Sequence, residues 1–252
     1  MALRLSKKKM PKKEEKQLQE KWKIEERVFD RPTLFSLYYL LNKGVITRLH
    51  GPISTGKEAD VYRAEGKAGD LAVKIYRIET TGFQRIEEYL IGDPRFEKVG
   101  RTKRSIVYAW ARKEYKNLEI CAGMGISVPR PIDFKNNVIV TELIGEGGIP
   151  APTLKEVGPT NPQREFETLI GFIIRMFSNG FVHADLSEYN VLVLREKLYL
   201  IDLAQGVLTT HPRAIEFLER DVRNVVDYYS DYIDVDYEET VSRVRASGPP
   251  QP

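Results

Sequence analysis

Residues 145–152, GEGGIPAP, cut the chain into halves with different periodicities. Glycine and proline at that density punctuate regular structure and suit a hinge or linker. Before the break, VITRLHGPISTGKEADVYRAEGKAGDLAVKIYR carries apolar and β-branched runs interrupted by turns at STGKE and EGKAGD. That pattern predicts three antiparallel strands in a meander. RPTLFSLYYLLNKG, just upstream, predicts a helix. Pro32 suits its first turn, Leu34, Leu37, Tyr38 and Leu41 share a stripe, and Gly44 stops it. IVYAWARKEYKNLEICAGMG has helical spacing, and VIVTELIG is a short buried strand.

After the break, NPQREFETLIGFIIRMFSNG predicts a helix capped by Asn161 and opened by Pro162. Phe166, Leu169, Ile170, Ile173 and Phe177 form its apolar face. NVLVLREKLYLIDLAQG predicts a hairpin turning at REK, and AIEFLERDVRNVVDYYS a further helix. Strands followed by helices imply an α+β protein of two lobes. The expected boundaries are a basic N-terminal segment at 1–29, a first lobe at 30–144, the hinge at 145–152, a second lobe at 153–240 and a disordered tail at 241–252.

Composition excludes some classes. At 42% hydrophobic and 30% charged, the chain is an ordinary globular sequence of 252 residues. No apolar run approaches the length that crosses a bilayer, so no membrane partner is expected. The single cysteine, Cys121, excludes an internal disulfide and suits a reducing cytoplasm. Basic residues crowd the first 27 positions and the run RFEKVGRTKRSIVYAWARKEYK, which suits an RNA- or phosphate-facing surface. Within that region GFQRIEEYLIGDPRFEKVGRTKRS is expected to be a flexible loop.

GPISTGKE begins like a phosphate-binding loop of the pattern G-x-x-x-x-G-K-[ST], but Glu58 stands where the hydroxyl belongs. Such loops join a strand to a helix, whereas EADVYRAEG has strand character, so STGKE is expected to be a hairpin turn. The chemistry lies further along. In LAVKIYR, alternation places Leu71, Val73 and Ile75 on one face and Ala72, Lys74 and Tyr76 on the other. A lysine among apolar strand neighbours needs a partner. Glu114 shares a helix stripe with Val107, Trp110, Ala111, Leu118 and Cys121, so it points inward and needs a cation. In VHADLSEYNVLVLREKLYLIDLAQG, Asp185 and Asn190 lie five residues apart in one loop, and Asp202 ends an apolar strand. Hard oxygen ligands suit Mg²⁺, and a carboxylate beside the attacking atom suits proton transfer. His183 is expected to pack and hydrogen-bond within its loop, and Cys121 to lie in the core.

The Lys/Glu/Asp/Asn/Asp series, with STGKEADVY, LAVKIYR, HADLSEYNVL, LIDLAQGV and HPRAIEFLERDVRN, resembles the RIO-type atypical protein kinases. STGKE with HADLSEYN resembles their type 1 branch, in the size range of archaeal members. The resemblance covers roughly residues 30–230. It implies a two-lobed protein-kinase-like fold with a reduced C-terminal lobe and an extra N-terminal helix. It implies ATP with Mg²⁺, Mn²⁺ being able to replace it. Lys74 would contact the phosphates and pair with Glu114, Asp185 would be catalytic, and Asn190 and Asp202 would hold the metal. Adenine would lie between Ile53, Val61 and Ala72 above and Leu192 below, its edge meeting the backbone of Glu142 and Ile144. Ser54, Thr55, Gly56 and Lys57 would cover the phosphates. The family also implies an aspartyl-phosphate on Asp202, and work on the pre-small-ribosomal-subunit particle, its rRNA and ribosomal proteins. Thr102, Ser105 and Ser127 are candidate self-phosphorylation sites.

The sequence departs from ordinary kinases. It has no G-x-G-x-x-G or A-P-E, and Ala184 and Ser187 replace the usual catalytic-loop Arg and Lys. A small-molecule kinase of the aminoglycoside or choline type shares the Asp/Asn spacing but usually needs a larger acidic second lobe. A nucleotide-binding scaffold is the other alternative, and the intact charged set argues against it.

Overall fold

The computed structural model describes residues 29–79, 83–90, 93–96, 99–100 and 102–248; most of the basic N-terminal segment therefore lies outside the described residues. Helix α1 (Arg31–Asn42) is capped by Asp30, whose side chain accepts the N–H of Thr33. It leads into β1 (Arg48–Thr55), β2 (Ala59–Gly66) and β3 (Gly69–Tyr76), the expected meander. Helix α2 (Phe83–Leu90) and the long α3 (Lys103–Gly123) follow, then β4 (Pro131–Lys135) and β5 (Val138–Glu142). The five strands form one antiparallel sheet in the order β1-β2-β3-β5-β4.

Strand alternation divides the packing of this sheet. Leu71, Val73 and Ile75 join Val138 and Val140 in a small core with Leu37 and Leu40 of α1. Tyr76 and Ile139 turn to the other side, into the main core with Val107, Trp110, Ala111, Leu118 and Cys121 of α3. That core continues into the second lobe. There, α4 (Leu154–Val157), α5 (Pro162–Ser178), β8 (Phe181–Val182), the hairpin β9 (Val191–Leu194) and β10 (Lys197–Leu200), β11 (Val207–Leu208), α6 (Ala214–Tyr229) and α7 (Tyr237–Arg245) follow. The β9–β10 turn puts Arg195 and Glu196 at positive φ, the two-residue geometry that suits strand twist. Among the described residues, no helix is long and apolar enough to cross a membrane.

Three expectations need correction, and one strand is added. The hinge at 145–152 is not an open linker: β6 (Gly145–Glu146) and β7 (Ile149–Pro150) pair across a Gly147–Gly148 turn. Both turn glycines have positive φ, so the same residues that signal a linker also make a tight hairpin. The segment expected as a flexible loop contains α2 and a 3₁₀ turn at Pro94–Phe96, because Ile86, Tyr89, Leu90 and Phe96 reach the core. The tail expected to be disordered from 241 is helical to Arg245. Asp236 caps α7, and Val241 and Val244 are buried. Strand β4, not read from the sequence, is joined to β5 through Asn136 at positive φ.

Candidate active site

Lys74 lies on β3 opposite Ile139 of β5, with its side chain turned toward α3. Its Nζ donates to Glu114 Oε1 at 2.8 Å and to Asp202 Oδ1 at 3.0 Å. One ammonium thus ties the sheet, α3 and the end of β10 together. Burial works against the charged lysine, but Asp202 and Glu114 more than offset it, and its pKa lies above the ordinary value. The same pairing holds the Asp202 carboxyl below its usual range, outweighing its partial desolvation. For Glu114 burial wins, and its pKa is raised in spite of Lys74. Tyr76, two residues along the same strand face, donates its hydroxyl to Glu114 Oε2 at 2.5 Å. Sequence reading placed Tyr76 on the Lys74 face but gave it no role.

Asp202 follows β10 with left-handed backbone (φ 58°), and a 3₁₀ turn (Leu203–Gln205) begins after it. Its side chain is 45% exposed, so a carboxylate oxygen remains reachable from solvent. Asp185 sits in the loop after β8. Asn190 Nδ2 donates to the Asp185 backbone O at 2.8 Å and more weakly to Asp185 Oδ2 at 3.3 Å. That commits the amide nitrogen and leaves Asn190 Oδ1 as the face for a cation. Burial, then the Asp202 charge, push the Asp185 carboxyl up to about 6, with Arg220 and Asn190 pulling the other way.

The loop is held from α6, a support not read from the sequence. Asp221, buried, accepts the N–H of Ala184 at 2.7 Å and of Leu186 at 2.9 Å. Arg220 donates to the Ala184 carbonyl, and Asn224 to the Leu186 carbonyl at 2.9 Å. Ala184 itself has φ 65°, a costly conformation outside glycine, so these bonds on both sides of it fix Asp185. A sequence signal existed in the acidic and amide side chains of LERDVRN, but burial alone reveals their targets. His183 is fully buried and packs as expected; among the described residues its ring nitrogens make no hydrogen bond of good geometry, and the nearby Ile201 backbone interacts with the ring only weakly. Burial pushes its imidazole down to about 4, so it packs as a neutral ring. Cys121 lies in the core as expected, its thiol pushed up to about 12 by burial.

STGKE is the β1–β2 turn, and Ala59–Gly66 is a strand, so the resemblance to a strand-to-helix phosphate loop is one of letters. Gly56 closes the turn by donating to Ala59 O at 2.9 Å, and a Cβ there would meet that same oxygen. Ile53, Ser54 and Thr55 end β1, Lys57 is exposed in the turn, and Val61 pairs with both Ser54 and Lys74. Ala72 pairs with Thr141; Glu142 ends β5, Ile144 follows it, buried, and Leu192 lies on β9. These residues occupy the strands and connections around Lys74, and no direct bond joins them to the charged cluster among the described contacts. Glu58 reaches the site from above: it lines a cavity of about 290 Å³ with Asp185, Tyr89, Trp110, Gln205 and Arg220. Thr102 and Ser105 form the capping box of α3.

The family model described as "RIO domain" matches residues 60–241. The RIO-type serine/threonine-protein kinase Rio1 of Haloferax volcanii is 46% identical over 211 residues, spanning 83% of this chain and 73% of the relative. Its namesake from Methanocaldococcus jannaschii is 36% identical over 216 residues, spanning 85% and 74%. Among solved structures, the Rio2 kinase–ADP/Mg²⁺–phosphoaspartate complex from Chaetomium thermophilum superposes with a TM-score of 0.62. It shares 20% identity, over 84% of this chain and 68% of that one, and so speaks for the fold. With the matched span holding Lys74, Glu114, Asp185, Asn190 and Asp202 together, the chain belongs to the RIO domain family, as a RIO1-type atypical kinase.

Proposed function

We propose that this chain transfers the γ-phosphoryl group of ATP, as an atypical serine/threonine protein kinase and ATPase. The observation that carries this is the Lys74 ammonium held between Glu114 and Asp202, with Asp185 presented by a rigidly bonded loop. Lys74 is fixed by its carboxylates to meet phosphate oxygens. Asp185, a carboxylate above about pH 6, accepts the proton of the attacking serine, threonine or water hydroxyl. The residues Ile53, Ser54, Thr55, Gly56, Lys57, Val61, Ala72, Glu142, Ile144 and Leu192 would form the nucleotide's surroundings, which their positions around Lys74 support.

The donor set fits Mg²⁺. Among the described residues no three His, Cys, Asp or Glu side chains cluster to hold a metal alone. Asn190 Oδ1 and the exposed Asp202 carboxylate instead supply the few hard oxygens that Mg²⁺ takes when phosphates and waters complete its shell. Bound there, it would neutralise charge on the phosphate oxygens.

A finer step belongs to the same proposal. An Asp202 carboxylate oxygen attacks the γ-phosphorus, ADP leaves, and water then attacks the aspartyl-phosphate to release inorganic phosphate. The phosphoaspartate named in the Rio2 complex supports it by likeness. We further propose that the output acts in maturation of the small ribosomal subunit, bound to rRNA and ribosomal proteins in the cytoplasm. The family resemblance, the basic runs and the single cysteine support this.

The test follows ³²P from γ-labelled ATP in the wild type, Asp185→Ala and Asp202→Ala, with and without small ribosomal subunits. Acid-stable label on serine or threonine that disappears in Asp185→Ala is the expected kinase result. Base-labile label absent from Asp202→Ala is the expected aspartyl-phosphate result. Label transfer and phosphate release in Asp185→Ala at the wild-type rate would overturn the catalytic assignment.

A further inference from the structure

The mechanism above leaves a fully buried lysine unused. Lys113, the neighbour of Glu114, has no exposed surface. Its Nζ donates to the backbone carbonyl of Ala204 at 2.9 Å and to that of Gly206. Asn117, four residues on and equally buried, donates Nδ2 to Leu203 O at 2.7 Å and to Gly206 O at 2.9 Å. Spacing of i and i+4 puts both side chains on one helix face. Every carbonyl they bond lies in the turn that immediately follows Asp202.

That turn needs external support. Asp202 has left-handed backbone, which a residue with a Cβ adopts at a cost and keeps only when its surroundings impose it. Its carboxylate makes no capping bond to the turn, being directed at Lys74 instead. Gly206 has ordinary φ, so glycine is required there for space. A Cβ would lie 3.1 Å from Asn117 Nδ2 and 2.4 Å from the Phe181 ring. Asn117 is itself oriented, because its Oδ1 accepts from Arg95 at 2.9 Å, and Arg95 is clasped by the buried Asp93 at 2.6 Å. The segment around Pro94–Phe96, expected from sequence to be loose, thereby reaches the turn beside Asp202.

We propose that Lys113 and Asn117 are positioning residues for phosphoryl transfer. They hold the backbone of 203–206 so that the Asp202 carboxylate faces a divalent cation. Helix α3 then serves the site twice, orienting Lys74 through Glu114 and Asp202 through the turn, so both groups move together if the helix moves. The competing account is that these bonds merely satisfy buried carbonyls. In that case their loss lowers stability and leaves cation binding by the folded protein unchanged. The proposal rests on assigning Asp202 as a cation ligand.

The test uses the full chain with Asn117→Asp and Lys113→Met. Asn117→Asp is isosteric, keeps the acceptor for Arg95 and removes both donated bonds; Lys113→Met keeps length and removes the donors. Mg²⁺ is titrated calorimetrically into protein saturated with a non-hydrolysable ATP analogue. Analogue affinity in EDTA and thermal unfolding are measured in parallel. Outer bonds that orient a metal ligand change affinity by about 10–100-fold, so a rise of about tenfold in the Mg²⁺ Kd is expected for each variant. Metal-free analogue affinity should stay within about twofold of wild type, since Lys74 keeps its bond to Glu114, which lies outside the turn. Folded Asn117→Asp with wild-type Mg²⁺ affinity would overturn the positioning role and leave Asp202 as a ligand, whatever Lys113→Met does. If Asp202→Ala binds Mg²⁺ as well as wild type, the ligand assignment fails and the positioning role with it.

Discussion

Tyr76→Phe is the sharpest probe of the charged cluster, because it removes one oxygen and leaves the ring in the core. The hydroxyl donates to Glu114 Oε2 at 2.5 Å, while the other oxygen of the same carboxylate takes Lys74 at 2.8 Å. Tyr76 and Glu114 are each only 3% exposed, so water does not readily replace the lost donor. A hydrogen bond to a charged group contributes about 1.5–3 kcal/mol net, and stranding the buried oxygen favours the upper part of that range. For a chain of this size, roughly 2–4 °C per kcal/mol applies, so Tm should fall by about 4–12 °C. Glu114 already has a raised pKa because burial outweighs its partners, and losing a donor to its charged form should raise it further. The assay is denaturant unfolding of the wild type, Tyr76→Phe, Glu114→Ala and the double variant at neutral pH. The coupling free energy should be about 1.5–3 kcal/mol, in the range for residues in direct contact. Coupling below about 0.5 kcal/mol, the scatter expected for independent sites, would show that Tyr76 only fills space.

Two further outcomes follow from the same geometry. Asp185 must be ionised to accept a proton and its carboxyl lies at about 6, so kcat/KM should fall as pH drops below 6 and level off above it. Arg220 lowers that pKa, so Arg220→Gln should move the acid limb to higher pH; an unmoved limb would mean that another group titrates. Asp221→Asn leaves one of the two loop N–H groups, Ala184 or Leu186, facing an amide donor in a buried place. It should cost roughly 1–3 kcal/mol of stability and lower kcat while the nucleotide Kd holds; a wild-type kcat would refute its role in holding Asp185.

The site residues stood out in the sequence because each was locally expensive. Lys74 on an apolar strand and Glu114 on an apolar helix stripe each lacked a counter-charge, and the structure makes them partners across 40 residues. Asp185, Asn190 and Asp202 were legible from spacing and from the hairpin between them. Elements whose composition fits two states were harder. GEGGIPAP reads equally as linker and as turn, and the hydrogen bonds of β6 with β7 decide between them. The end of the chain reads as polar until Val241 and Val244 find the core of the second lobe.

Period and punctuation in this sequence determine the meander, helices α1, α3, α5 and α6 and the order of the charged groups, because those depend on neighbours within a few residues. Tertiary structure alone decided that Tyr76 serves Glu114, that Asp221 holds the Asp185 loop, and that Lys113 and Asn117 bind the turn after Asp202. The physical reason is common to all of these. A buried donor or acceptor must be satisfied, but its partner is a backbone or side-chain group tens of residues away, and only the packed fold brings it within 3 Å.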